Sequence, residues 1–343
     1  MIQSSAPHWQ GDQWKKALAE AIKDPQELFD LLQLPTEYLA AAIEVARTFP
    51  LRVTRSFAAR MRPQDIHDPL LLQVLPLHWE NHRVEGYCTD PVGDLAASKT
   101  PGVIHKYYGR VLLVTTGACA VHCRYCFRRH FPYSQANPAA DQWCNALQYI
   151  AGDSTISEVI LSGGDPLSLS DQKLIQLTQE LEKISHVTTL RIHSRLPIVL
   201  PQRISEPFIT QLTASRLQVV MVVHANHANE INSEVASAFT ILRNCAVPLL
   251  NQAVLLHKIN DNAADLATLS RTLFSHGVLP YYLHALDAVQ GAAHFAVLPE
   301  HIHRIYHELS KQLPGYLLPK LVKELAGADY KVPLFERQAL SKT

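Results

Sequence analysis

The chain of 343 residues is long enough for one large α/β domain or two modest ones, and an apolar fraction of 47% can build a sizeable core. Basic and acidic residues number 31 each, so the formal net charge is zero and no general attraction to nucleic acid or to an anionic membrane is expected. The first residues lack the apolar segment of a secretory signal, and no apolar run reaches the ~18–20 residues of a membrane helix. We therefore expect a cytoplasmic protein with reduced thiols that binds neither nucleic acid nor membrane.

Residues 1–100 are expected to form a helical cap followed by an irregular lead-in. Apolar residues recur at helical spacing in three early stretches, the second beginning at Pro25 and the third at Thr36. Proline suits the first position of a helix and threonine can cap one, so both starts are physically reasonable. Four prolines between residues 63 and 91 then interrupt regular structure.

Residues 101–298 alternate short apolar runs with helical segments, and residues 299–343 add one more helix and a tail. Near-continuous Val, Ile and Leu runs between helices indicate a parallel sheet that is covered on both faces. Six such units favour an α/β fold, either a doubly wound sheet or an incomplete barrel. The strands are predicted at residues 110–116, 158–162, 189–193, 217–223, 249–256 and 278–284. The helices are predicted at residues 141–151, 171–184, 206–214, 230–244, 263–276 and 300–313.

Three of the six cysteines, Cys119, Cys123 and Cys126, are spaced C-x3-C-x2-C on a loop just after the first predicted strand. That end of a parallel sheet is where chemistry collects, and three thiolates on one loop can hold a soft metal centre. A structural zinc normally takes four ligands, the fourth of which His122 or His130 could supply. Three cysteines suit a 4Fe–4S cluster with one iron left free, which is the favoured interpretation. The remaining cysteines are expected to be small buried apolar residues: Cys88, Cys144 and Cys245.

The cysteine spacing at the end of the first strand of a six-unit β/α domain resembles the signature of radical S-adenosylmethionine enzymes. The resemblance implies a partial (β/α)6 barrel and a free iron that chelates the amino and carboxylate groups of S-adenosylmethionine. The segment SGGDP, after the second strand, resembles the Gly-Gly-Glu motif of these enzymes. Glycines permit close backbone approach, and an acidic side chain can accept a hydrogen bond from an ammonium. The resemblance implies that Gly163, Gly164 and Asp165 contact S-adenosylmethionine.

A narrower resemblance covers roughly residues 100–335 and points to the lysine 2,3-aminomutase family. Members of this family use pyridoxal 5′-phosphate (PLP) in addition to the cluster. The segments that carry the resemblance are CRYCFRRHF, LSGGDPL, RIHSRLPIVLPQRI, VHANHANE, LLNQAVLLHKIND, LPYYLHALDAVQGAAHF and GYLLPKLVKELAGADYKVPL.

The resemblance implies that Lys331, in ADYKVPL, forms the Schiff base with PLP. The family has a glycine-rich run before this lysine, whereas this chain has Ala326-Gly327-Ala328. Arg110 and Lys106, beside the first strand of the core, are predicted anion contacts for the PLP phosphate. A carboxyl-terminal tail that supplies the PLP lysine thus completes the predicted fold.

The resemblance also implies how a substrate amino acid is held. Arg128, just after the third cysteine, matches an arginine that binds the substrate carboxylate, which a planar guanidinium suits well. Asp287 matches an aspartate that binds the distal ammonium of the substrate. Glu324 stands where the family has a second such aspartate, and it keeps the charge but is one methylene longer. Paired acids favour lysine as the substrate.

The function implied by the resemblance is isomerisation of L-α-lysine to (R)-β-lysine by a radical 1,2-amino shift that needs an external electron donor. The phrases CRYCFRRHFPY, DPLLLQVLP, RSFAARM and VQGAAHF resemble the bacterial enzymes of elongation factor P modification, whose product a separate ligase attaches to the factor. Because the chain ends shortly after Lys331, the zinc-linked assembly of the longer catabolic aminomutases is not expected. Two alternatives are a radical enzyme acting on another amino acid, such as glutamate or arginine, and a zinc-binding protein without catalysis.

Overall fold

The computed structural model describes residues 13–134 and 143–334. Its amino-terminal part is helical, as predicted, with α1 (Gln13–Ala19), α2 (Pro25–Leu32), α3 (Leu39–Ala46) and the short α4 (Arg55–Ala58). Helix α2 starts at Pro25 because the side chain of Asp24 accepts a hydrogen bond from the backbone N of Gln26. A 3-10 turn at Thr36–Tyr38 leads into α3.

A ten-stranded sheet follows, with its strands ordered in space as they are in the chain. The strands are β1 (Ser98–Thr100), β2 (Val103–Tyr107), β3 (Arg110–Thr116), β4 (Glu158–Gly163), β5 (Thr189–Ser194), β6 (Gln218–Val223), β7 (Leu249–Leu255), β8 (Leu279–Ala285), β9 (Lys320–Lys323) and β10 (Val332–Pro333). Strands β3 to β9 pair in parallel, whereas β1, β2 and β10 extend the two edges antiparallel. All six predicted strands are confirmed with ends within one residue; β1, β2, β9 and β10 were not predicted.

Helices alternate with the parallel strands and cover the outside of the sheet. They are α5 (Cys144–Gly152), α6 (Asp171–Glu182), α7 (Leu196–Val199), α8 (Glu206–Thr213), α9 (Ser233–Asn244), α10 (Ala263–Ser275) and α11 (Pro299–Gln312). The predicted helix at 141–151 is confirmed from Cys144 onward, and its first two residues lie outside the described part of the chain. Helix α9 begins three residues later than predicted, because Asn232 caps it through the backbone N of Val235. Six β/α units, from β3 to α11, confirm the predicted α/β architecture.

One hydrophobic core joins the amino-terminal helices, the sheet and the carboxyl-terminal strand, and it extends from Trp14 to Leu321. The sheet is also strongly curled. Lys106 of β2 contacts Glu324, directly after β9, with 2.9 Å between Nζ and Oε1, although six strands lie between β2 and β9. The carboxyl ends of the parallel strands therefore surround a common interior. Within the described residues, no helix is long and apolar enough to cross a membrane.

Candidate active site

Two adjoining cavities occupy the interior at the carboxyl ends of the parallel strands. The first, of about 300 Å³, is lined by all three clustered cysteines; the second, of about 390 Å³, is lined by Lys331. Arg128 and Asp287 line both cavities, so the two spaces share a wall. The strands thus bring together residues that are separated by more than 200 positions in the sequence.

The cysteine loop follows β3 and packs on the amino-terminal region. The backbone N of His122 donates to the carbonyl of Arg52, and the backbone N of Arg124 donates to the carbonyl of Gln73, both at 2.9 Å. Side-chain Nδ1 of His122 lies 2.8 Å from the carbonyl of Pro50. These contacts fix the cysteine loop against residues 50–73. That part of the amino-terminal region therefore helps to shape the first cavity.

The three clustered thiols are free and face one cavity. Burial raises the pKa of Cys119, and burial together with the neighbouring Cys123 raises the pKa of Cys126 to about 11. Within the described residues, no group of three His, Cys, Asp or Glu side chains could hold a single metal ion. A 4Fe–4S cluster binds each thiolate through a different iron, and its positive irons stabilise the deprotonated thiols. The donor set therefore fits the predicted cluster.

A buried ion-pair cluster fastens the cysteine loop. Glu80 accepts from Arg124 at Nε and Nη2, at 2.8 and 2.6 Å, and from Arg129 at Nη2, at 2.8 Å. The Glu80 carboxylate and the Arg124 guanidinium are essentially unexposed. Sequence inspection assigned no role to Arg129, and its partner lies almost 50 positions away in the chain. The structure shows that Arg129 holds the loop.

The Gly-Gly-Asp segment at the end of β4 packs directly on the cysteine loop. A Cβ at Gly164 would lie 2.4 Å from the carbonyl oxygen of Ala118, and Gly163 has a φ of +123°. Both positions therefore require glycine. The backbone N of Asp165 donates to the carbonyl of Ala118 at 2.8 Å.

The side chain of Asp165 is bound by the protein itself. It accepts hydrogen bonds from Oγ of Ser194 and from the backbone N of Arg195, Leu167 and Leu196, at 2.7 to 3.2 Å. Burial nevertheless raises its pKa to about 6. The carboxylate thus ties the β4 loop to the β5 loop at the edge of the first cavity. That it also meets the ammonium of S-adenosylmethionine stays a prediction.

Lys331 precedes β10 in the wall of the second cavity. Its Nζ lies 2.6 Å from Oε2 of Glu324 and 5.9 Å from the ring centre of Tyr282. Arg110 lines the same cavity, with its guanidinium 4.8 Å from the ring centre of Tyr107. A primary amine, an arginine and aromatic rings around one cavity suit the aldehyde, the phosphate and the flat ring of PLP.

Lys106, the other predicted phosphate contact, is bound by acids. Its Nζ lies 2.6 Å from Oδ1 of Asp94 and 2.9 Å from Oε1 of Glu324. Asp94 in turn accepts from Nε of Arg128 at 2.6 Å. A continuous chain of ion pairs therefore runs from Arg128 through Asp94, Lys106 and Glu324 to Lys331. Asp94 was not predicted from the sequence, because it lies in an irregular segment outside the motifs that resemble the family.

The two acids predicted to bind a distal ammonium differ in ionisation. Burial and the nearby Glu324 raise the pKa of Asp287 to about 7. Burial would also raise the pKa of Glu324, but Lys331 and Lys106 outweigh it and lower this pKa to about 2. Glu324 is thus a fixed anion, whereas Asp287 is poised to take up or release a proton near neutral pH.

Three described histidines line both cavities, His193, His224 and His284, and the sequence analysis assigned a role to none of them. Among the described residues, the Nε2 atoms of His193 and His284 are buried without a hydrogen-bond partner. Burial lowers the pKa of both rings, to about 3 for His284. Unpaired polar atoms inside a cavity fit a site built to receive polar ligands. Their signal in the sequence is a histidine near the carboxyl end of a parallel strand, as in RIHS and YYLHA.

Cys88 and Cys144 lie outside the site, and the prediction that they are buried is wrong. Both side chains are exposed, Cys88 in a loop and Cys144 at the start of α5. Cys245, at the end of α9, is partly exposed.

Comparison with known proteins found a family profile and several similar chains. A family profile described as "4Fe-4S single cluster domain" matches residues 108–193, which include the cysteine loop. L-lysine 2,3-aminomutase of Escherichia coli is 47% identical over 94% of this chain and 94% of that protein. The enzyme of the same name from Haemophilus influenzae is 46% identical over 93% and 94%, and that from Acetoanaerobium sticklandii is 33% identical over 96% and 80%. A radical SAM methyltransferase from Sphaerobacter thermophilus has a TM-score of 0.45 and 16% identity over 64% of this chain and 68% of that one.

The cysteine loop follows the first parallel strand of six β/α units and lies within the region that resembles 4Fe-4S single cluster domains, which gives the fold and the site of an iron–sulfur protein. The chain belongs to the L-lysine 2,3-aminomutase family, as predicted from the sequence. The predicted enzyme class, an isomerase, is confirmed with it. The predicted set of cofactors, a 4Fe–4S cluster, S-adenosylmethionine and PLP, is also that of the family.

Proposed function

We propose that this chain converts L-α-lysine to (R)-β-lysine at the wall shared by the two cavities. The observation that carries the proposal is that Arg128 and Asp287 line both the cysteine cavity and the Lys331 cavity. A substrate bound to these two side chains would lie between the radical source and PLP. The shift requires such contact, because reacting atoms must be held within about 3–3.5 Å.

Each cofactor has a proposed set of protein contacts. When bound, the cluster with S-adenosylmethionine supplies a carbon-centred radical, and PLP supplies a π system next to the migrating nitrogen. The residues proposed to hold the cluster are Cys119, Cys123 and Cys126. Those proposed to border S-adenosylmethionine are Gly163, Gly164 and Asp165. Those proposed to hold PLP are Lys331 and, at the phosphate, Arg110.

The substrate carboxylate would bind Arg128. Its guanidinium is oriented by Asp94 at 2.6 Å and by Oγ of Ser162 at 3.1 Å, so it need not reorganise on binding. Because that guanidinium is buried, the charge-assisted bonds it forms are strong.

The distal ammonium of the substrate would bind Asp287 and Glu324. Glu324 already accepts from a primary ammonium, that of Lys331, at 2.6 Å. This contact supports the proposal because a lysine side chain is the chemical group that the substrate would present there. The surrounding cavity walls would exclude water from the reacting carbon atoms.

The proposal is tested with anaerobically reconstituted protein that is given S-adenosylmethionine, PLP, a reductant and, in separate reactions, L-lysine, L-glutamate or L-arginine. We expect β-lysine from L-lysine and no isomer of the other two. Isomerisation of glutamate or arginine in place of lysine would contradict the substrate assignment. Iron and sulfide analysis of the same protein should give about four of each per chain; zinc in place of iron would favour the non-catalytic alternative.

We further propose that the product serves elongation factor P modification in the cytoplasm, where thiols stay reduced. Support comes from the quoted phrases, among them CRYCFRRHFPY and VQGAAHF, and from six free cysteines. The test supplies the reaction mixture to the factor and its lysine ligase. Mass spectrometry should show one added β-lysyl group that depends on this protein; a factor modified equally without it would exclude this role.

A further inference from the structure

Arg195 follows β5 and contacts one of the three clustered cysteines. Its Nη1 donates to Sγ of Cys123 at 2.8 Å. Its Nη2 donates to Oε1 of Gln73 at 2.5 Å and to Oε2 of Glu230 at 3.0 Å. The guanidinium therefore bridges a cavity thiol and two buried acceptors.

The acceptors of Arg195 are themselves fixed. Glu230 is fully buried, and its other oxygen accepts from the backbone N of Asn226 at 2.8 Å and of His227 at 3.1 Å. Gln73 Nε2 also donates to Glu230, at 3.1 Å. If Arg195 turned away from Cys123, it would leave a buried carboxylate without its counter-ion, which is strongly unfavourable. The position of the guanidinium against the sulfur is thus built into the fold.

Arg195 places a permanent charge beside that sulfur. Its side chain is 6% exposed, and a guanidinium stays protonated in proteins. In surroundings of low polarity, a charge within hydrogen-bond distance acts on its neighbour far more strongly than it would in water.

We propose that Arg195 raises the reduction potential of the iron–sulfur cluster by donating a charged hydrogen bond to the Cys123 sulfur. The inference rests on the proposed function, because it requires Cys123 to be a cluster ligand. Reduction adds one electron, and therefore one negative charge, to the cluster and its thiolates. A cationic donor to a ligand sulfur stabilises that added charge, so the cluster accepts an electron from the external donor more readily.

Arg60 offers a matched control. Its guanidinium donates to the backbone carbonyls of Glu230 and Ile198, in the same neighbourhood, and it has no thiol contact among the described residues. Removing Arg60 takes away a nearby positive charge without touching the sulfur contact. The comparison therefore separates the hydrogen bond to Cys123 from a general change of charge.

The test is a redox titration of the anaerobically reconstituted protein without S-adenosylmethionine, in which the paramagnetic signal of the reduced cluster is followed. Arg195→Met should shift the midpoint potential to a more negative value. Arg195→Lys should shift it less, because it keeps the charge, and Arg60→Met should leave it nearly unchanged. Each variant is first checked for wild-type iron and sulfide content.

Unchanged potentials in both Arg195 variants would overturn the inference, as would an equal shift in Arg60→Met. If Arg195→Met holds no cluster, Arg195→Gln, which also removes the charge, takes its place, and a wild-type potential in that variant overturns the inference. If an Arg195 variant binds S-adenosylmethionine less tightly but keeps the wild-type potential, Arg195 serves only to bind S-adenosylmethionine. That result would overturn the inference as well. A wild-type protein that assembles no reducible cluster would instead contradict the proposed function.

Discussion

Lys106 and Glu324 close the open side of the curled sheet with a contact of 2.9 Å between Nζ and Oε1. Each residue also extends the contact inward, Lys106 to Asp94 at 2.6 Å and Glu324 to Lys331 at 2.6 Å. The strand edges are therefore joined by the same charges that hold the proposed PLP lysine and, through Asp94, the proposed substrate arginine. Closure of the fold and alignment of the site depend on one set of ion pairs.

The first prediction concerns Lys331. Lys331→Ala should abolish the absorbance of covalently bound PLP and leave iron and sulfide content at the wild-type level, because the cysteines line the other cavity. Lys320→Ala, an exposed lysine of β9, serves as the control and should keep the absorbance. Covalent PLP that persists in Lys331→Ala would show that another lysine carries the cofactor.

The second prediction concerns Asp94 as a positioning residue. Asp94→Asn removes the anion between Arg128 and Lys106, and a hydrogen bond to a charged group contributes about 1.5–3 kcal/mol. We expect the KM for lysine to rise about 10- to 100-fold, with a smaller change in kcat. Asp90→Asn is the control, because among the described residues the Asp90 side chain accepts only from the backbone N atoms of Asp94 and Leu95 and touches neither Arg128 nor Lys106. Equal KM values in the two variants would remove the role assigned to Asp94.

The third prediction concerns pH. The pKa of Asp287 is raised to about 7, so below that pH the substrate-free enzyme carries a neutral side chain where the ammonium would bind. The KM for lysine should therefore rise about tenfold per pH unit below about 7. In Asp287→Asn, the KM should be high and should lack this dependence. A wild-type KM that is flat between pH 6 and 8 would argue against binding by Asp287.

The raised pKa of Asp287 also determines how the stability of the fold changes with pH. The pKa of Asp287 is about 7 in the fold and near its ordinary value of 3.8 in the unfolded chain. Between these values the folded state binds more protons than the unfolded state, so stability falls as pH rises through this window. Asp287→Asn should weaken that fall, which denaturant unfolding at a series of pH values can measure.

The fourth prediction concerns Gly164. Gly164→Ala would place a Cβ 2.4 Å from the carbonyl oxygen of Ala118, and neither backbone can yield without moving the cysteine loop. We expect the variant to lose most of its iron and its affinity for S-adenosylmethionine. Gly152→Ala, whose Cβ would meet nothing within 4 Å, should retain both. Equal iron content in the two variants would show that the loop tolerates the displacement.

A strand or a site residue could be predicted from the sequence where its pattern lies within a short stretch of the chain. The parallel strands were found because their Val, Ile and Leu runs are buried on both faces, as in β6. β9 was missed because LPKLVKEL is short and has lysines within it. β9 forms by pairing in parallel with β8, and no local sequence pattern reveals that pairing.

The residues of the site also fall into two groups, those with a local sequence pattern and those that only tertiary contacts reveal. Cys119, Cys123 and Cys126 form a local spacing that the sequence displays directly, and all three line one cavity. Asp94 and Glu80 act through partners that the fold brings from distant parts of the chain. Charge pairing over such separations depends on tertiary structure, so it cannot be inferred from one sequence.

We propose that a radical formed at the cysteine cavity reacts with a lysine bound across the shared wall. The most direct test of this proposal uses L-lysine deuterated at C3, with the anaerobically reconstituted protein, S-adenosylmethionine, PLP and reductant, and it measures deuterium in the recovered 5′-deoxyadenosine. We expect deuterium there together with β-lysine. Formation of β-lysine while deuterium never reaches the adenosyl group would contradict it.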